Sequence, residues 1–163
     1  MALEAIGAII GITSNSGRNG WYENLNRSSA NPPGVVFSIV WPILYFMIAI
    51  SGWILQFAPS NVPRLTLIRV LFGTQLVLNW CWSPFFFTLH EVVLSFVVII
   101  TMVVIVGLII ILSFEKMRAV SVLMLPYLLW LCFASYLNGY IMVNNWKQQK
   151  GLFECYLILI RFK

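Results

Sequence analysis

Apolar residues in this chain come in long blocks, and the charged residues mark the edges of the blocks. The stretches 28–63, 70–90, 92–114 and 119–146 contain no Asp, Glu, Lys or Arg. A hydrocarbon layer about 30 Å thick takes about 20 apolar helical residues to cross, and each stretch is long enough. Helices satisfy their own backbone groups in lipid, so the pattern predicts membrane-spanning helices at about 34–57, 65–89, 92–114 and 119–146. The Val/Ile-rich run 92–114 would favour a strand in water, but it is far longer than a normal strand. Pro32 and Pro33 precede the first of these spans, as suits a helix start. The links 58–64, 90–91 and 115–118 are short, which makes consecutive helices up-down neighbours.

Two shorter apolar runs complete the pattern. Residues 2–13 are too few to cross the bilayer and are expected to form a first helix that is truncated or partly interfacial. A secretory signal is the rival reading, and it fails because no basic segment leads the run and Glu4 stands at its start. The polar link 14–33 is the longest and carries Gly17, Gly20, Trp21 and Tyr22. At the other end, residues 153–162 are apolar but too short to span, so the tail 147–163 is expected to be interfacial or disordered. The expected fold class is therefore an all-α membrane protein. It is a five-transmembrane-helix bundle with a long loop between helices 1 and 2, forming a single domain over 1–146.

Composition sharpens this picture by exclusion. Of 163 residues, 61% are apolar and 9% charged, against about 25% charged in soluble domains. A water-soluble monomer and a disordered chain are both excluded. The net charge of +5 does not point to nucleic acid, because the basic residues sit singly at span ends with no aromatic-interleaved basic patch. Arg64, Arg69, Lys116 and Arg118 fall on one side. Arg18, Arg27, Lys147 and Lys150, with Arg161 and Lys163, fall on the other, which the positive-inside rule favours as cytoplasmic. Cys81, Cys132 and Cys155 are odd in number and widely spaced; they are read as free thiols that assign no redox compartment.

No catalytic set emerges. His90 is the single histidine and reads as a solvated residue at a span end. No carboxylate lies inside a long span, which argues against an acidic ion or proton pathway. No metal-binding, nucleophile-elbow or phosphate-loop spacing occurs. What the spans do carry is aromatic and amide groups at helical spacing. Gln75, Asn79 and Ser83 share a face with Trp82 and Phe86. Phe37, Trp41, Leu44 and Tyr45 form a second stripe, and Tyr127, Trp130, Ala134 and Asn138 a third. Three such stripes around one cavity would suit a flat apolar guest, with indole and phenol rings as walls, Ala134 leaving room and amides orienting a polar group. The same residues also serve as interhelical glue or as an interfacial aromatic belt, and spacing alone leaves these readings open. Pro42, Pro84 and Pro126 interrupt the spans and free backbone carbonyls. Gly7-Ala8-Ile9-Ile10-Gly11 matches a GxxxG motif, either a dimer face or a close contact within the bundle. The Asn26-Arg27-Ser28 sequon is at chance level.

Four blocks resemble the tryptophan-rich sensory protein/translocator protein (TspO/MBR) family, also called the peripheral-type benzodiazepine receptor family. They are Trp21-Tyr22-Glu23-Asn24-Leu25 followed by Asn31-Pro32-Pro33; Phe37-x-x-x-Trp41-x-x-x-Tyr45; Gln75-x-x-x-Asn79-x-x-Trp82-Ser83-Pro84-x-Phe86-Phe87; and Pro126-Tyr127-x-x-Trp130-x-x-Phe133-Ala134-x-x-Leu137-Asn138. Their order and spacing match over about 5–146. The resemblance implies a five-helix bundle whose first loop folds over a pocket for porphyrins such as protoporphyrin IX, sterols and synthetic benzodiazepine-type ligands. Carried over by position, the pocket uses Trp41, Asn79, Trp130 and Ala134, with Pro33 and Trp21 in or under the loop. Phe37, Tyr45, Trp82, Ser83, Phe86 and Asn138 join them as candidate ligand-binding residues from the stripes. Where the family reads KPxW, this chain has Arg27-Ser28-Ser29-Ala30, which changes the loop's rigidity and one aromatic contact. The Tyr and Arg of the animal cholesterol segment are Gly139 and Val143 here, so a cholesterol role is weakly supported. The first helix is short for the family, which suggests a missing N-terminus or a late start codon.

The expected function is a membrane receptor or sensor-type protein that binds porphyrins and related planar or sterol-like molecules. The porphyrin is a ligand, and no cofactor or metal is expected. A transporter of such molecules is the alternative, although five spans do not divide into two equal halves and no internal repeat is visible. Light-dependent porphyrin breakdown, attributed to tryptophans in some bacterial members, is a further alternative and would fall to Trp41 and Trp130. The expected partners are the lipid bilayer, a porphyrin or sterol-like molecule and a possible homodimer. A bacterial inner membrane is favoured over a mitochondrial outer membrane.

Overall fold

The computed structural model describes residues 20–146. The expectations for helix 2–13, its GxxxG motif and the tail 147–163 lie outside the described residues. Within them the chain forms four long helices: α1 (Gly34–Gln56), α2 (Leu65–Ser83), α3 (Val92–Ser113) and α4 (Arg118–Asn144). There is no strand among the described residues, and four spans are long and apolar enough to cross a membrane: α1, α2 continued to Thr88, α3 and α4. Residues such as Ile43, Phe46, Trp53, Val104, Ile111 and Leu129 are exposed on the outside of the bundle. In water such a surface would aggregate; against lipid it is matched to its solvent.

Helix ends follow from local chemistry. Arg69 lies in the second turn of α2 and donates through Nε to the Leu55 carbonyl and through Nη2 to the Gln56 carbonyl, both at 2.9 Å. These are orphan carbonyls at the C-terminus of α1, where a cation also suits the helix dipole. The charge inside the expected span 65–89 is thereby placed at the end of the neighbouring helix. That span is not one regular helix. The α-helix stops at Ser83, and Pro84–Thr88 continues as a wide π turn, with Leu89 N–H donating to the Pro84 carbonyl at 3.0 Å. Pro84 has no N–H to continue the α ladder, and its ring crowds the carbonyl four residues back. The chain then reverses at His90, whose φ of 57° is left-handed.

α3 lies between α2 and α4 and packs along both, most extensively along α4; α1 packs chiefly on α4 and touches α2 only slightly. The order around the bundle is therefore α1, α4, α3, α2. Met102, Val106 and Ile109 of α3 meet Val120, Met124, Tyr127 and Leu131 of α4 in the main core, joined by Leu44 and Ile48 of α1 and Ile68 of α2. Ser121 Oγ donates across to the Ile110 carbonyl at 2.8 Å. A Cβ on Gly139 would stand 3.1 Å from the Phe96 ring, so this glycine lets α3 and α4 approach.

Candidate functional site

Two helices, α1 and α4, bring one aromatic group together. Phe37, Trp41 and Tyr45 follow one another up a face of α1. Trp130 of α4 meets them edge-on, with ring centroids 5.5 Å from Phe37 and 6.5 Å from Trp41, and Tyr45 lies 5.4 Å from Trp41. Below them runs a hydrogen-bonded line across the bundle. Tyr45 OH donates to Asn79 Oδ1 at 2.7 Å, Asn79 Nδ2 donates to Tyr127 OH at 2.9 Å, and Tyr127 OH points to Met102 Sδ at 3.9 Å. Each polar side-chain atom in this line has at least one partner. Ala134 packs against the same core one turn beyond Trp130. The indole Nε1 of Trp130 is buried and has no partner among the described residues. Gln75 is fully buried one turn below Asn79, and neither atom of its amide has a partner among the described residues.

A second group forms at the end of the bundle, under the loop. Trp82 and Phe86 stack at 5.2 Å, and Trp21 and Tyr22 of the loop meet Phe86 edge-on at 5.8 and 6.1 Å. The π turn makes this possible by presenting Phe86 and Phe87 to the loop on consecutive residues. Asn138 of α4 ties the group together: with its amide oriented to suit both neighbours, it donates to the Val92 carbonyl and accepts from Trp82 Nε1, each at 3.2 Å. Leu25 is buried here with Phe86, Val92 and Ile141.

The candidate residues thus fall into two levels. Phe37, Trp41, Tyr45, Asn79, Trp130 and Ala134 lie at the interior group, and Trp21, Trp82, Phe86 and Asn138 lie at the loop group. Ser83 is buried at the end of α2. Pro33 is exposed and starts α1, its carbonyl accepting from Val36 N–H at 3.0 Å. His90, read from the sequence as a solvated loop residue, stacks on Trp21 at 4.1 Å and is only partly exposed.

Several contributors were not legible as site residues. Asn145 forms a reciprocal pair with the loop, accepting from Asn26 N–H through Oδ1 at 2.9 Å and donating to the Asn26 carbonyl through Nδ2 at 3.2 Å. Ser28 Oγ and Tyr136 OH lie 3.0 Å apart as a second tie between the loop and α4. Ser28 lies in Arg27-Ser28-Ser29-Ala30, so that segment supplies a side-chain tie to α4. Tyr127 and Met102 complete the Asn79 line; Tyr127 was visible in its helical stripe, whereas Met102 carried no signal.

The sequence matches the TspO/MBR family over residues 1–143. It is 35% identical to the tryptophan-rich protein TspO of Archaeoglobus fulgidus over 126 residues, covering 77% of this chain and 80% of that protein. It is 30% identical to the tryptophan-rich sensory protein of Cereibacter sphaeroides over 131 residues, covering 80% of each. Similarity extends to the translocator protein of Homo sapiens, at 26% identity over 137 residues and 82% and 81% coverage.

Proposed function

The chain belongs to the TspO/MBR family of integral membrane proteins, and from that premise we propose that it binds porphyrin-type molecules within the bilayer. The observation that carries this reading is the set of rings from Phe37, Trp41, Tyr45 and Trp130, with Trp130 edge-on to Phe37 and Trp41 and Tyr45 tilted against Trp41, above the Asn79 line. Aromatic faces offer a planar guest large contact area at little cost in side-chain freedom. The buried, unpartnered Nε1 of Trp130 offers a hydrogen bond to an acceptor on the guest. Protoporphyrin IX supplies both features, a planar apolar ring system and carboxylate acceptors. The loop group packs Trp21, Tyr22 and Leu25 against Phe86 at one end of the bundle.

Tryptophan quenching by protoporphyrin IX in detergent tests the reading. The unmodified protein should saturate. Trp130→Phe removes the donor and part of the ring contact, which is worth about 0.5–1.5 kcal/mol, or roughly two- to tenfold in Kd. Ala134→Leu should weaken binding further by filling space. If both variants bind as tightly as the unmodified protein, the ligand does not sit against Trp130. Illumination of the same samples separates binding from breakdown: loss of porphyrin absorbance that Trp41→Phe with Trp130→Phe abolishes would add a photochemical role.

A further inference from the structure

Trp130 faces two environments. Its ring closes the interior aromatic group, and it also lines a groove of about 400 Å³ on the outside of the bundle between α1 and α4. Val40, Ile43 and Met47 form one wall; Pro126, Leu129 and Trp130 form the other. Val40 lies about 9 Å and Met47 about 20 Å along α1 from its start, at 1.5 Å per residue. The groove therefore opens into hydrocarbon and not into the headgroup layer.

The end of the bundle near the loop is closed by comparison. Leu25 is buried, Trp21 stacks on His90, Asn145 grips the backbone of Asn26 from both sides, and Ser28 is tied to Tyr136. A molecule passing that way must break these contacts together. At the groove the Trp130 ring, with Leu44 and Phe133 beside it, stands between lipid and the interior group. Nε1 of Trp130 makes no hydrogen bond to any described residue, so turning the ring breaks no hydrogen bond and gives up its ring contacts with Phe37, Trp41 and Phe133 and its packing against the core. Pro126 lies one turn away in α4 and has no N–H for the carbonyl four residues back, which leaves the helix free to bend beside Trp130.

We infer that the α1/α4 groove is a lateral port: an apolar planar guest passes from the bilayer to the interior aromatic group by displacing the Trp130 ring, while the loop stays fastened. The inference rests on the binding reading above. It adds the side from which the guest arrives and the residue that gates it. An apolar guest partitions into lipid, so its local concentration is highest where the groove opens.

Stopped-flow quenching in nanodiscs, with protoporphyrin IX delivered from vesicles, tests the port. Leu129→Trp places bulk in the groove from a position that faces lipid and supports no core packing; Ile43→Trp does the same from the opposite wall. Each should slow association and dissociation together by about tenfold while moving Kd by less than about threefold, because the bound state is unchanged and the barrier is not. Asn145→Ala frees the loop and should leave the association rate within about twofold. Unchanged rates in both groove variants, or a several-fold faster association in Asn145→Ala, would overturn the port and place the route under the loop. Absence of saturable quenching in the unmodified protein removes the binding reading, and the port falls with it.

Discussion

Asn79 holds more of this bundle together than a single amide usually does. It accepts from Tyr45 on α1 and donates to Tyr127 on α4, so one side chain of α2 joins two helices it would otherwise meet only through apolar contact. Tyr127 is fully buried, and without Asn79 its hydroxyl keeps only the weak sulfur acceptor of Met102. Leaving such groups unsatisfied costs about 1–3 kcal/mol in proteins generally, while interhelical hydrogen bonds in membranes average about 0.6 and reach about 1.7 kcal/mol. Asn79→Ala should therefore lower stability by about 1–2 kcal/mol, seen as a reduced Tm in detergent. Tyr127→Phe should cost less, because it leaves Tyr45 and Asn79 paired. Equal Tm for Asn79→Ala and the unmodified protein would show that the line is formed but contributes no net stability. The sequence makes Asn79 conspicuous as a polar residue inside an apolar span. It does not reveal which hydroxyls answer it, because helical spacing orders residues around an axis and says nothing of the partner helix.

At the scale of elements, the four long spans are legible because charge cannot enter hydrocarbon cheaply, so the charged residues stop where the helices do. The interruption at Pro84 is the instructive exception. Apolar periodicity continues through Phe85, Phe86 and Phe87 and predicts one helix to residue 89, whereas the backbone widens into a π turn from Pro84. The pattern of side chains cannot register a missing N–H. The turn has a consequence for the loop, since it turns Phe86 and Phe87 toward Trp21 and Tyr22. Pro84→Ala restores the donor and permits a regular α-helix, which rotates both rings away from the loop. The expected result is a loop that exchanges its amides faster and is cut more readily by protease between Leu25 and Asn31, with α3 and α4 unchanged. Wild-type cleavage rates in Pro84→Ala would mean that the loop is held by Asn145 and Ser28 alone. Those two ties reach across 119 and 108 residues of chain, a separation at which no local sequence signal operates.

For the bundle of described residues, the order α1, α4, α3, α2 gives α1 the least support from the other three long helices. It buries the smallest share of its residues and α4 the largest, and its contact with α2 is slight apart from the Arg69 clasp at one end. The site residues reflect this arrangement. The three stripes read from the sequence do converge in part, with Phe37, Trp41 and Tyr45 on the lightly held helix and Asn79, Trp130 and Ala134 on better-packed ones. Trp82, Phe86 and Asn138 share azimuth with them but lie at a different height, near the loop, because periodicity fixes direction around a helix and not depth in the bilayer. A ligand bound between Trp41 and Trp130 would join α1 to α4, adding contact to the described helix that buries the smallest share of its residues. Local opening follows the density of buried contacts, so amide exchange in detergent should be fastest in α1 and slowest in α3 and α4. Protoporphyrin IX should then slow exchange in α1 selectively, by about the factor 1 + [L]/Kd that binding to the folded form imposes. Protection spread evenly over all four helices would indicate general stabilisation by detergent or surface adsorption. Protection of α1 that Leu129→Trp abolishes at equilibrium would place the guest in the outer groove, which Leu129 lines, and not among the interior rings.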